Sequence, residues 1–391
     1  MTSDSSPSTT REEVISLLDQ LVRIESVTPW LIKTGSGEKE IAEFMGAWLT
    51  KEGLEVTLEE VSPGRPNMLA RLKGAGTGPT LCINAHSDTV GFENWADVAL
   101  SPWIEGDRMY GLGVVDDKAG CAAAMLALRD LARSGVVLNG DVLLACVADE
   151  ESTSTGSEHL AKHHTMDAAI IIEPSVLPVV VTEHQGFGWI EITVFGKASH
   201  GCAPEEGIDA IVHMAEVIMR LDALSESTWA AHPDARNGAT VFHASTITGG
   251  TDFATYPSRA VLGIEIGTQP GETLSDRVKD IEKIFAEITI KRPNFRAEIA
   301  IKLERDPFVG SGREPLLVAL NKATQEVMGK DISDQGWNAW TDAAILQASG
   351  VPTVLIGPRG GNLHSPNEWV EISAVEELVE VLKSTIVNFL K

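Results

Sequence analysis

Basic side chains are scarce in this chain. Its 391 residues hold 31 Lys and Arg against 56 Asp and Glu, a formal net charge of −25, and there is no long Lys/Arg run. That balance repels nucleic acid and anionic membrane surfaces over most of the molecule and leaves a small molecule as the expected partner. Cysteine is equally sparse. The four thiols, Cys82, Cys121, Cys146 and Cys202, fall in apolar or Ala-rich segments and form no CxxC pair, which reads as reduced, buried thiols of a cytosolic protein. No stretch approaches the length of a membrane span, and the opening MTSDSSPSTT lacks the charged-then-apolar pattern of a signal peptide. There is no internal repeat, and low complexity is confined to the first residues. The expectation is a cytoplasmic protein whose residues 1 to about 9 form a disordered tail.

What is present is a well-supplied core. Hydrophobic residues make up 43% of the chain, and its length suits two to three domains. Thr10 and Glu13 form a capping box for an amphipathic helix through Val14, Leu17, Leu18 and Leu21. Helices are expected at 39–51, stopped near Gly53, and at 118–134, an Ala-rich segment closed by Gly135. A further helix is expected around 157–163, and apolar strands at 79–85, 141–148 and 168–172. Strands alternating with helices predict an α/β sandwich around a largely parallel sheet, whose ligands bind beyond the carboxyl ends of the strands. After Gly186 the pattern changes to strands at 189–195 and 259–266 with helices at 208–221 and 274–288, a small α+β insert with its own sheet. The α/β pattern resumes near Pro307, with helices at 315–328, after Asp342 and from Ser373, and a strand at 353–356.

Five short motifs stand where these strands end. His86-Ser87-Asp88 follows the run LCINA, and although a loop histidine beside a surface aspartate would look the same, a metal-bound imidazole needs an acceptor for its other ring nitrogen. Asp116 and Asp117 lie between a glycine loop and a helix start, where helix capping explains one carboxylate and leaves the other free to bridge two cations. Asp149, Glu150 and Glu151 emerge together from the strand DVLLACVA, and adjacent carboxylates repel unless cations neutralise them, so one glutamate is expected to bind metal and its neighbour to hold the attacking water. Glu173 after AAIII is a ligand or a loop charge, and His364 sits in a glycine-rich loop after TVLI. His159, His163, His164, His213 and His232 read as surface or packing residues, and His200 alone stands apart from them.

The segments HSDTV, GLGVVDDKAG, DEES, IIIEPS, FGKASHGCAPEEGIDAI and GNLHSPNEWV, in this order, resemble the M20 metallopeptidase family. That group contains acetylornithine deacetylase, succinyl-diaminopimelate desuccinylase, aminoacylases and glutamate carboxypeptidases. The resemblance runs from about residue 11 to the C-terminus. It implies a zinc-peptidase-like catalytic domain (1–186 and 301–391) interrupted by a lid domain (187–300) through which the protein forms a homodimer. It further implies two Zn2+ ions, with Co2+ or Mn2+ as substitutes. One zinc would be held by His86 and Glu173 and the other by Glu151 and His364, with Asp116 bridging. Asp88 would orient His86, Glu150 would act as general base and acid, and His200 would reach from the partner's lid to stabilise the oxyanion.

The chain departs from the family pattern at three positions. Leu112 replaces an arginine of the family's GRG, which costs a structural contact, and Gly267 stands where relatives carry an arginine that grips the substrate carboxylate. Ala254 likewise replaces an asparagine. Arg259 and Asn362 are left as the candidate substrate contacts. The expected function is hydrolysis of the amide bond of an N-acyl amino acid or related small amide. The competing readings are a carboxypeptidase or dipeptidase using the same site and, in a different class, an inactive metal- or ligand-binding relative, against which the full ligand set and Glu150 argue.

Overall fold

The computed structural model describes residues 9–93 and 95–391. Apart from Thr9, the expected tail lies outside the described residues. The chain divides into two compact units, one of residues 1–182, 310–334 and 341–391, the other of residues 183–309 and 335–340. The expected insert ends at 300, whereas the strand Arg296–Arg305 runs through that point and pairs along its length with Gly186–Phe195.

The first unit is built on a mixed sheet. Its centre is four parallel strands in the order Val142–Val147, Leu81–His86, Ala168–Ile172 and Thr353–Ile356. All four are buried along their whole length, as strands covered on both faces must be, and they therefore read as unbroken apolar runs. The sheet is less parallel than expected. Glu55–Ser62 and Arg65–Leu72 form an antiparallel hairpin that adds to Val142–Val147, and Val179–His184 runs antiparallel to Thr353–Ile356. A tight hairpin return can only give an antiparallel pair.

Helix Arg11–Arg23 carries the expected capping box and buries Val14, Leu17, Leu18 and Leu21. Helix Lys118–Ser134 is buried on nearly every side as far as Leu131, because its run of alanines lets sheet and helices approach from all round, and it stops at Gly135 with φ +67°. The terminal helix Ile372–Leu390 packs against it and against Glu314–Met328. Each large aliphatic side chain buried in this layer contributes ~1.5–3 kcal/mol to the unit's stability.

The second unit has a four-stranded antiparallel sheet in the order Phe242–Gly249, Arg259–Thr268, Gly186–Phe195, Arg296–Arg305. Ile190, Ile192 and Val194 face Met214, Val217 and Leu221 of helix Ala210–Leu224 and Ile281, Ile284 and Ile288 of helix Leu274–Lys291. Three of the cysteines are buried as expected. Cys202 is exposed, contrary to the expectation, because it sits in the polar turn after His200 rather than in an apolar run. Among the described residues no helix is long and apolar enough to cross a membrane.

Candidate metal centre

The parallel register brings the strand ends together. His86 lies opposite Val147 and Ile356 opposite Ile172, so the residues that follow those strands, 149–151 and 173, leave the sheet at one edge beside His86. There, Nε2 of His86 stands 2.9 Å from Oδ1 of Asp116, while Nε2 of His364 stands 3.4 Å from the other oxygen of Asp116 and 3.1 Å from Oε1 of Glu151. The two oxygens of Asp116 therefore face one imidazole each. Ligand atoms of His86, Asp116 and Glu151 lie within 4.8 Å of one another, as do those of His86, Glu150 and Glu173.

The sequence expectation for Asp88 needs a change of atom. Nδ1 of His86 meets the Asp88 carbonyl at 3.1 Å, with the carboxylate further away at 3.5 Å. The carboxylate instead accepts the backbone N–H groups of Glu150 and Glu151, each at 3.0 Å. Asp88 thus fixes the imidazole with its main chain and the two glutamates with its side chain. Asp117 precedes helix Lys118–Ser134 but makes no side-chain cap bond, contrary to the capping expectation. Its carboxylate lies instead against Gly120, where a Cβ would fall 2.2 Å from Oδ1.

Electrostatics at this edge are those of a gathering of acids. Burial, then Glu150, holds Glu173 well above the usual carboxylate range. Glu150 is also held well above it, by burial and by Asp342, Glu151 and Asp88 against the opposing pull of His86. Glu151 is raised by burial and by Asp116. Burial opposes protonation of His364, yet Asp116 and Glu151 push it up to about 11. A set of imidazole nitrogens and carboxylate oxygens gathered at one edge, buried or half-buried except for the exposed His364 and carrying excess negative charge, fits divalent cations, which would neutralise it. His86, Asp116, Glu151, Glu173 and His364 are the residues that could hold them, with Glu150 beside them.

Several residues at the same edge were not singled out from the sequence. Glu368 is buried and accepts the backbone N–H groups of Gly113, Val115 and Asp116 at 3.0, 2.9 and 3.2 Å, fastening the loop that carries Asp116. Burial lifts its carboxyl to about 8. Lys118 is fully buried, donates to the Ile24 carbonyl at 2.8 Å, and is brought down to about 7 by burial. Arg65 and Glu38 lie behind Asp149. Glu368 belongs to the segment GNLHSPNEWV and could have been suspected there. Arg65 and Glu38 carry no local signal, since their meaning depends on partners far along the chain.

The remaining candidates have other surroundings. Asn362 is exposed, with φ +58°, and its amide donates to the Asn367 carbonyl at 3.1 Å. His200 and Arg259 belong to the second unit, and both are exposed. Nδ1 of His200 accepts from the Cys202 N–H at 3.2 Å, which leaves Nε2 carrying the proton of the neutral ring. Arg259 donates to the Thr193 hydroxyl at 3.3 Å. At Gly267 a Cβ would lie 2.5 Å from Oε1 of Gln185, whose amide donates to the carbonyls of Asn237 and Ala239. The space a longer side chain would need is filled by that amide.

Comparison with known proteins places this geometry in context. Acetylornithine deacetylase of Proteus mirabilis is 28% identical over 389 residues, covering 96% of each chain. Carboxypeptidase G2 of a Pseudomonas species is 28% identical over 378 residues, covering 93% of this chain and 86% of that one. The crystal structure of aminopeptidase PepT from Bacillus cereus superposes with a TM-score of 0.77 at 21% identity, covering 98% and 99% of the two chains. The model of peptidase family M20/M25/M40 matches residues 82–388, a span that includes every one of the acids and imidazoles gathered at the sheet edge. With the fold, the ligand-like cluster and this match in agreement, the chain belongs to peptidase family M20/M25/M40 and is a metal-dependent hydrolase.

Proposed function

We propose that this protein hydrolyses the amide bond of an N-acylated amino acid or a related small amide in the cytoplasm. The observation that carries the reading is the place of Glu150 within the cluster of His86, Asp116, Glu151, Glu173 and His364, its carboxylate within 4.8 Å of ligand atoms of His86 and Glu173. A carboxylate placed there can take a proton from an attacking water and give it back to the leaving nitrogen. Two zinc ions, with cobalt or manganese as substitutes, would be held by His86 with Glu173 and by Glu151 with His364, Asp116 bridging, and would polarise the carbonyl and lower the pKa of water. Asp88 holds the Glu150–Glu151 backbone in place while the proton moves. His200, from the second unit of a partner subunit in a homodimer, would donate Nε2–H to the developing oxyanion. Asn362 and Arg259 would contact the substrate.

The experiment is a panel of N-acyl amino acids, dipeptides and carboxylate-free amides assayed with the zinc, cobalt and manganese forms. Turnover led by N-acyl amino acids supports the reading. Turnover led by dipeptides supports the second reading, a peptidase, which the match to carboxypeptidase G2 keeps in view at the same 28% identity as the match to the deacetylase. No turnover of any amide while metal binds would overturn both.

A further inference from the structure

Behind the Glu150–Glu151 turn lies a buried ion-pair network that neither holds metal nor moves a proton. Arg65 opens the strand Arg65–Leu72, and its side chain is 14% exposed. Its guanidinium forks onto Glu38, through Nε to Oε2 at 2.8 Å and through Nη2 to Oε1. Nη2 also donates to the Thr28 hydroxyl at 2.9 Å, and Nη1 reaches Oδ1 of Asp149 at 2.7 Å. Glu38 and Asp149 are buried, at 0% and 1% side-chain exposure.

Asp149 is the centre of this network. Its carboxylate accepts from the hydroxyls of Thr28 at 3.1 Å, Ser152 at 2.5 Å and Thr155 at 2.9 Å, and from the hydroxyl of Thr153. Its backbone has φ +73°, the left-handed region that is uncommon for residues with a Cβ and is entered more readily by aspartate than by most. That backbone angle sets the direction in which the next two residues leave, and those residues are Glu150 and Glu151. Asp88 grips the turn from the metal side through the N–H groups of 150 and 151. Arg65 grips it from behind, and four hydroxyls without Arg65 would leave two buried carboxylates, Glu38 and Asp149, with no cation between them.

We infer that Arg65, braced by Glu38 and acting through Asp149, is a positioning residue that aims Glu150 and Glu151. The inference rests on the functional reading above only for the role of Glu150. A guanidinium is required because it must serve two carboxylates and a hydroxyl in one plane, and an ammonium presents no such fork. Misplacement of a catalytic group by about 1 Å costs on the order of 10²-fold in rate.

The test compares wild type with Arg65→Lys and Arg65→Met in the cobalt-loaded protein. The expected result is full metal content, with kcat reduced about 10–100-fold in Arg65→Met and less in Arg65→Lys, KM within about twofold, and a changed visible absorption of the bound cobalt as Glu151 is re-aimed. If Arg65→Met lowers only the melting temperature, and kcat and the cobalt spectrum per folded molecule stay as in wild type, Arg65 is a stabilising residue and the inference is wrong. Should Arg65→Met fail to fold, Arg65→Lys, which keeps the charge and loses the fork, carries the same two outcomes. If wild type hydrolyses no amide, the functional reading has failed, and the cobalt spectrum of the variants alone decides the positioning role.

Discussion

The two units treat charge in opposite ways. In the first, acids and imidazoles gather at the end of a sheet covered on both faces, most of them buried or half-buried and only His364 among the cluster exposed, and each is perturbed by its neighbours: Glu150 and Glu173 are held well above their ordinary range and His364 is pushed to about 11. In the second, the functional candidates are exposed, Arg259 at the start of a sheet strand and His200 in a turn outside the sheet, whose apolar face is covered by two helices. Burial makes a charge depend on its partners, so the first unit is sensitive to any change of charge among the acids. Exposure makes a side chain nearly independent of its surroundings, so the second should tolerate substitution without loss of fold and show its effects only in turnover.

The largest effect expected from that contrast is at Glu150. Glu150→Gln should lower kcat by roughly 10²–10⁴ while metal content, measured by elemental analysis, stays at the wild-type level. Loss of metal in this variant would make Glu150 a ligand and reverse its role with that of Glu151.

His200→Ala should lower kcat by roughly 10²–10³, the usual cost of one oxyanion donor, with an unchanged melting temperature. Mixed with Glu150→Ala under subunit exchange, it should regain about a quarter of wild-type activity, since random re-pairing makes about half of the dimers mixed, with one intact site in each. Exchange verified with tagged subunits and no regained activity would confine His200 to its own chain or remove it from the mechanism.

A smaller effect is expected for Arg259→Ala. If Arg259 takes over carboxylate recognition where Gly267 cannot, the preference for carboxylate-bearing substrates over their amide analogues should fall by on the order of 1.5–3 kcal/mol. An unchanged preference would pass the role to another group.

The smallest expected effect is on stability, and it separates the units most directly. In metal-free protein, Glu150 and Glu173 have folded-state values raised above their unfolded ones, Asp342 is raised to about 6 and Glu368 to about 8. Each then binds its proton more tightly folded than unfolded, so stability is fully present below the unfolded values and is lost as pH rises through the folded ones. The melting temperature of stripped protein should therefore fall between about pH 4.5 and 7, ahead of the window in which Lys118, lowered to about 7, works the other way. Zinc should reverse the trend, because its binding displaces those protons. A flat profile in stripped protein would mean that burial and mutual repulsion do not hold these acids above their unfolded values.

How much of this was legible beforehand follows from range. Helix Lys118–Ser134 and strand Ala168–Ile172 could be read to the residue, because an Ala-rich run ended by glycine and a bounded apolar run are local signals. Strands Phe242–Gly249 and Arg296–Arg305 could not, since both are largely exposed and their pairing comes from neighbours. The motifs at His86, Asp116, Glu150, Glu151, Glu173 and His364 were visible because each is a group of unusual residues in a loop that follows a strand or, for Asp116, precedes a helix. The sequence by itself determined which chemistry is present, since ligand-type side chains and the strand that precedes each are written locally. Only the tertiary structure decided which atom does what: that Asp88 uses its carbonyl for His86 and its carboxylate for Glu150 and Glu151, that Gln185 fills the space at Gly267, and that Arg65 stands behind Asp149. Those contacts join residues up to 84 positions apart, and the strand registers that bring them together, parallel beside His86 and antiparallel beside Arg65 and Gly267, are fixed by the pairing of whole strands and not by any short segment.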